Sequence, residues 1–464
     1  MLVVAIIFYL ILTMAVGVWS SRWIKNAKDF VLAGRQLPLF LSASALFATW
    51  FGSETIFGAS SEYLEHGLIG VIEDPFGGAL CLLLFGIFYL KPIYRMNLLT
   101  LGDVYEKIFG AKVGLNASIF MVPAYFGYVA AQLVALGLVL GAVSGISLET
   151  GIIISSFIVL FYTFMGGMWA ISITDFVQTI VIVVGLIWVA VMVSNEAGGL
   201  MNIVNAAPEG SFTFFPAFEP KAWLHYVGAW AILGLGSIPS QDIYQRVMSA
   251  KNEKVARTSL FLAAGFYLSF GLFPLFIALG AKILYPELYL ENPQMLLPEM
   301  VLQHGGLAIQ IIFFGALLSA IMSTTSSGLL APAAIITENI IKPVFKDRLG
   351  EKHMLWALRL NVVLVAIIAS LFAFWKANIY ELVAEASMLL LVSLFVPLTA
   401  GLYWNKASRT GALWSIWWGM AAYLLLGFYD LHIPVHLAAL TVSAVGMVIG
   451  STMYPTLQNH DKLS

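Results

Sequence analysis

The stretch LFLSASALFATWFGSETIFGAS, residues 39–60, decides how the rest of the chain is read. It is long enough to cross a bilayer, whose hydrocarbon core of about 30 Å takes roughly 20 helical residues. Yet Glu54 stands well inside it, directly after Gly52 and Ser53. A carboxylate at the bilayer centre costs about 2.5–3.5 kcal/mol even on insertion scales, so it must face protein or water. Gly-Ser is a natural place for a helix to unwind. Unwinding frees backbone carbonyls, which is tolerated at this depth where they line a cavity or hold an ion. The stretch therefore reads as a broken membrane helix with a function at its break. A protonated Glu54 bonded to a neighbouring helix is the plainer alternative.

The rest of the chain supports a membrane setting. Of its 464 residues 60% are hydrophobic and 10% charged, where a soluble domain carries about 25% charge. Apolar runs long enough to span lie near 2–20, 39–60, 68–93, 113–143, 149–167, 171–195, 222–244, 256–282, 305–336, 354–375, 380–403, 410–428 and 432–454. The expectation is an all-α polytopic membrane protein of about thirteen transmembrane helices. The first run has its basic residues (Arg22, Lys25, Lys28) after it. It reads as a retained helix and not a signal peptide.

Assigning alternate loops to opposite sides sorts the 23 Lys and Arg residues. Only Lys221, Lys282 and Lys376 fall on one side; the remainder, Arg246 included, fall on the other. Cytoplasmic loops are enriched in Lys and Arg, so the N-terminus is expected outside and the C-terminus in the cytoplasm. A cell (inner) membrane location follows. A single cysteine, Cys81, excludes an intramolecular disulfide.

Two more spans are irregular. GAWAILGLGSIPSQDIYQRVMSA, 228–250, is broken by Gly234, Gly236 and Pro239; proline removes a donor and clashes with the preceding turn. Two broken helices suggest two structural repeats, and a simple kink is the alternative. Within 305–336, Ser319 and Ser323 to Ser327 form a dense hydroxyl cluster. Hydroxyl and carbonyl oxygens suit a hard cation, but from composition alone small-residue helix packing, with hydroxyls bonded back to the backbone, is the commoner reason for them. Asp175, Glu73, Asp74 and Glu385 are further acids near or inside spans. Nothing resembles a nucleotide-binding loop or a Cys/His metal cluster. An enzyme, a primary pump and a nucleic-acid partner are not expected.

Five motifs in order then resemble the sodium:solute symporter family: FVLAGRQLP (30–38), ATWFGSETIFG (48–58), GGMWAISITDFVQ (166–178), SIPSQDIYQRV (237–247) and SAIMSTTSSGLL (319–330) with ITENI (336–340). The resemblance implies a LeuT-type core of five plus five helices in inverted repeats. It assigns 1–38 to a leading helix and inner loop, 39–195 to the first repeat, 222–403 to the second and 410–454 to extra helices. It implies sodium-coupled symport of a small organic solute by alternating access, with no cofactor. The implied sodium ligands are the carbonyls of Ala48, Phe51 and Ala320 and the hydroxyls of Ser323 and Thr324. Asp175 matches an acid on the sodium exit path. The implied solute contacts are Trp50, Gly52, Ser53, Glu54, Asp74, Tyr128, Trp230, Ser240 and Gln241. The ATW and IPSQDIYQRV segments resemble the choline-transporter branch, with Trp50 and Tyr128 at cage positions. Gly78 and Ser240 stand where that branch has aromatics. An amino-acid or amine-like solute is the expectation, and a monomer is compatible with the sequence. Rival readings are a proton-coupled carrier using Glu54 or Asp74, a channel, and a transporter-like sensor, against which the short tail after Tyr454 counts.

Overall fold

The computed structural model describes residues 1–291, 293–345, 350–375, 378–429 and 432–455. Lys346, Arg348, Lys376 and Lys462 of the charge count lie outside the described residues. The chain is all-helical. The principal elements are α1 (Leu2–Ser20), α2 (Leu39–Phe47), α3 (Ala59–His66), α4 (Leu68–Met96), α5 (Ala111–Ser144) and α6 (Leu148–Glu196). They continue with α7 (Pro220–Gly236), α8 (Gln241–Ser249), α9 (Glu253–Leu284), α10 (Leu307–Ile335), α11 (Glu351–Trp375), α12 (Ile379–Leu390), α13 (Arg409–Leu426) and α14 (Val435–Met453).

Among the described residues, nine helices are long and apolar enough to cross a membrane by themselves. The expected thirteen runs differ from that number at four places, each with a physical reason. Helices α2 and α3 are two halves of one interrupted path, as are α7 and α8. Helix α13 is long enough at 18 residues, but Arg409, Trp414, Trp417 and Trp418 lower its hydropathy. Helix α6 has 49 residues and would run about 74 Å if straight, more than twice a bilayer core.

It is not straight. Gly167 has φ +48° and ψ −145° in its middle, a conformation side-chain-bearing residues avoid. Tyr162 donates to Met322 O at 2.7 Å, and Asp175 is bonded to the Ser323 hydroxyl. These two residues would stand about 20 Å apart along a straight helix. They meet adjacent residues of α10 because the chain turns back at Gly167. The notional side chain of Gly167 would strike Phe30 O at 2.5 Å, so the motif FVLAGR packs into the bend.

Helix α10 is the centre of the assembly: Phe313, Phe314 and every residue from Ala316 to Ile335 are buried. It packs on α5, α6, α1 and α11. A helix apolar or small on all sides is expected only where neighbours cover it completely. The first break runs from Ala48 to Ser53, between α2 and a widened turn at Glu54–Gly58. The second comprises Ser237 to Ser240, with Pro239 in the unwound segment. The end of α8 is fixed to the inner loop by Leu37 N–H to Ser249 O and Lys251 N–H to Leu37 O, both 3.0 Å.

Candidate ion and solute sites at the two helix breaks

The first break faces the hydroxyl cluster of α10. Ala48 ends α2, and its carbonyl oxygen lies 3.2 Å from both Ser323 Oγ and Thr324 Oγ1. Thr324 Oγ1 is also 3.1 Å from Ala320 O. Ser323 Oγ additionally bonds Asp175 Oδ1. Two hydroxyl protons thus serve two carbonyls and a carboxylate, an oxygen-rich knot of hard ligands. Phe51 follows on the same unwound turn, its ring stacked on Phe47 at 4.7 Å.

Asp175 is fully buried and paired with Arg246 Nη2 at 3.3 Å, and the same nitrogen bonds Ser327. The charge count placed Arg246 among cytoplasmic loop cations; it is instead wholly buried. The reason is its position on α8, the half-helix that re-enters the protein after the second break. A buried ion pair is costly to break from one side, because the remaining charge has no compensation.

Between the two breaks lies a small cavity lined by Trp50, Tyr125, Tyr128, Ser237, Ser240, Asp242 and Ser387, among others. It holds about 30 Å³, enough for a water or two, so a solute enters only when the walls part. Asp242 is the charged group in that wall and is 2% exposed. Trp50 Nε1 donates to its Oδ2 at 3.1 Å, and the Tyr125 hydroxyl donates to its Oδ1 at 3.0 Å. Tyr125 accepts in turn from the backbone N–H groups of Gln241 and Asp242 at 2.7 and 3.1 Å. The N-terminus of α8 is thereby held against α5. Ser240 Oγ is buried and has no hydrogen-bond partner among the described residues. Tyr128 donates to Thr49 O at 2.8 Å, which holds its ring beside the first break.

Of the expected solute contacts, Trp50, Tyr128 and Ser240 line this cavity. The others are engaged elsewhere. Glu54 Oε2 accepts from Gln132 Nε2 at 2.7 Å, and Ser53 N–H donates to Gln132 Oε1 at 3.0 Å. Gly52 lies against the same group, its notional side chain 2.7 Å from Thr324 Oγ1. Asp74 accepts from Thr55 Oγ1 at 2.7 Å and from the Tyr267 hydroxyl, so it braces α4 against the first break. Gln241 Oε1 accepts from Leu101 N–H at 2.7 Å, toward the inner loop. Trp230 belongs to an aromatic group with Phe76, Phe214 and Tyr226. Gly78 is small because the Tyr267 ring would stand 2.9 Å from any side chain there. Glu385, expected to be buried, is exposed; it stands on the outward face of α12.

Sequence reasoning missed Asp242, Tyr125 and Gln132. Asp242 lay inside a quoted motif, one residue beyond Gln241. Gln132 was a lone amide in an apolar helix, and such a group in lipid is a signal of its own.

Residues 30–419 match the sequence profile of the Sodium:solute symporter family. The chain belongs to that family. The High-affinity choline transporter 1 of Drosophila melanogaster is 31% identical over 430 residues, which are 88% of this chain and 68% of that one. The High-affinity proline transporter PutP of Bacillus subtilis is 26% identical over 416 residues, 86% of each. A Na+-coupled sialic acid symporter, solved in a substrate-bound outward-open state, superimposes with a TM-score of 0.86. It is 20% identical and covers 98% of this chain and 99% of its own. Its fold and that of this chain are the same LeuT-type architecture. The protein is a multi-pass membrane transporter, not an enzyme, and sodium is its coupling ion.

Proposed function

We propose that this symporter takes up an amino-acid or amine-like solute, driven by sodium bound at Ala48, Phe51, Ala320, Ser323 and Thr324. The observation that carries the ion site is the meeting of Ser323 and Thr324 hydroxyls with the Ala48 carbonyl at 3.2 Å. A cation there ties the first broken helix to α10 and fixes the break in the shape that lines the cavity. The solute binds between Trp50, Tyr128, Ser240 and Asp242. Its ammonium group pairs with the Asp242 carboxylate, whose oxygens retain free lone pairs beyond the Trp50 and Tyr125 bonds. The aromatic faces of Trp50 and Tyr128 favour a cation in the same place.

Solute binding closes the outer route, and the repeats 39–195 and 222–403 rock about it. Sodium then leaves toward the cytoplasm past Asp175, with the N-terminus outside and the C-terminus inside. One sodium entering down about 100 mV contributes about 2.3 kcal/mol. A tenfold sodium gradient adds about 1.4 kcal/mol, and the sum supports a few-hundredfold solute gradient.

The test needs no knowledge of the solute. A ligand bound by the folded state alone raises its stability. Purified protein should unfold at a higher temperature in sodium than in potassium at equal ionic strength. Thr324→Ala should weaken sodium binding about fivefold to tenfold, the worth of one hydroxyl ligand at about 1–1.4 kcal/mol. A variant with unchanged sodium affinity would remove Thr324 from the site.

A further inference from the structure

The small cavity between the breaks shares a wall with a larger one. Helix α5 packs against both α11 and α12. Between those two helices lies an open cleft of about 350 Å³, with Pro123 and Ala124 contributed by α5. Phe372 and Trp375 come from α11, Glu385 and Ala386 from α12. Ala124 and Ala386 also line the small cavity, where Trp50, Tyr128 and Asp242 meet. Two of the smallest side chains therefore stand between the cleft and the solute cavity.

The cleft lies where α11 finishes and α12 begins. Phe372 and Trp375 belong to the last turn of α11, and Glu385 is the seventh residue of α12. In the orientation proposed above, this is the outer end of the bundle. The volume falls in the range of about 300–1,000 Å³ usual for small-molecule pockets. The cavity at the breaks, at about 30 Å³, is too small to admit a solute until its walls part. Glu385 is the charged residue of the cleft lining and is exposed there. A carboxylate this far along a membrane helix is tolerated where water reaches it. Aromatic faces attract cations as well. An acid beside aromatic rings is a set that holds an ammonium group.

We propose that this cleft is an outer loading site, where Glu385, Phe372 and Trp375 take up an ammonium-bearing solute before it passes Ala124 and Ala386 toward Asp242. The inference rests on the proposed function, because it takes the solute to be a cationic or zwitterionic amine. The chain then offers the same chemistry twice, a carboxylate with aromatic rings, first in an open cleft and then in an enclosed cavity. Water weakens the charge attraction in the cleft, and exclusion of water strengthens it in the cavity. The outer site therefore binds more weakly and exchanges solute faster.

Equilibrium dialysis of radioactive tetramethylammonium against the purified protein tests this, with Asp242→Asn used to weaken the inner site. Asp242→Asn should still bind the probe saturably. Adding Glu385→Gln should weaken that binding about tenfold or more. Adding Phe372→Leu should weaken it about twofold to fivefold. Loss of all saturable binding in Asp242→Asn overturns the loading site and leaves the proposed function standing. Binding that Glu385→Gln leaves unchanged overturns it too, as does a wild type with no saturable binding. If tert-butanol, an uncharged near-isostere, displaces the probe as well as unlabelled tetramethylammonium does, the cleft takes apolar groups such as lipid chains, and the proposal falls. Equal solute uptake by Asp242→Asn and the wild type would instead remove Asp242 from the proposed function, while the effect of Glu385→Gln on probe binding still decides the cleft.

Discussion

The two helix breaks are made differently and do different work. The first has no proline. It opens at Ala48 to Ser53 and turns its carbonyl and carboxylate oxygens toward helices of other parts of the chain, toward Ser323 and Thr324 on one side and Gln132 on the other. The second is forced open by Pro239, and what it presents is a pair of charges on α8. Asp242 and Arg246 are four residues apart, the spacing at which helix side chains face one another and commonly pair. Here they do not pair with each other. Asp242 bonds Trp50 and Tyr125 at the cavity, while Arg246 bonds Asp175 and Ser327 beside the Ser323 and Thr324 hydroxyls. One break therefore faces its neighbours with a backbone carbonyl and a carboxylate. The other connects the cavity wall to buried Asp175 through a single turn of helix.

That contrast breaks most severely at Arg246. Arg246→Leu leaves Asp175 buried without its counter-charge. Thermal unfolding should show a loss of about 3–5 kcal/mol, the usual cost of removing one partner of a buried pair. The double variant Arg246→Leu, Asp175→Asn should recover most of that stability. If the single variant were as stable as the wild type, Arg246 would not be the partner that compensates Asp175.

A smaller effect separates the two breaks by function. Asp242→Asn keeps the shape and the Trp50 and Tyr125 neighbours but removes the charge. Hydrogen bonds to charged groups are worth about 1.5–3 kcal/mol, so affinity for a protonated amine should fall about 10-fold to 100-fold. Uptake from an amino-acid pool into sodium-loaded-outside proteoliposomes measures this. Sodium-dependent stabilisation should persist, since none of the proposed sodium ligands is touched. Equal losses of sodium and solute binding would mean that the two breaks act as one site.

What the sequence reveals follows the same division. The first break was legible because its signals are local: Gly52 and Ser53 beside an acid in an apolar run, and six hydroxyls in the span it meets. Their meeting across 275 residues came from resemblance, not from spacing. The cavity was less legible. Asp242 and Gln241 are neighbours with opposite destinations, and a helix turns successive side chains by about 100°. Which of them meets the cavity depends on where α8 restarts after Pro239, a detail of one residue. Arg246 shows the same limit in the charge rule, which counts cations by loop and does not see a half-helix re-entering the protein. The bend at Gly167 falls at the boundary between two expected spans, 149–167 and 171–195.

The smallest effect concerns two acids that look alike in sequence, Glu54 and Glu385, each well inside an apolar run. Glu54 is enclosed, with one oxygen that has no hydrogen-bond partner among the described residues. Glu385 is exposed and lines an open cavity of about 350 Å³ with Pro123, Phe372 and Leu382. An exposed acid keeps most of its hydration in the folded protein, so losing its charge changes little. Glu385→Gln should leave the unfolding temperature within the equivalent of about 0.5 kcal/mol and leave sodium binding unchanged. A loss as large as that expected for Arg246→Leu would mean that Glu385 sits in an enclosed network when the protein is in lipid. The distinction between the two acids would then have to be sought in their partners instead of their burial.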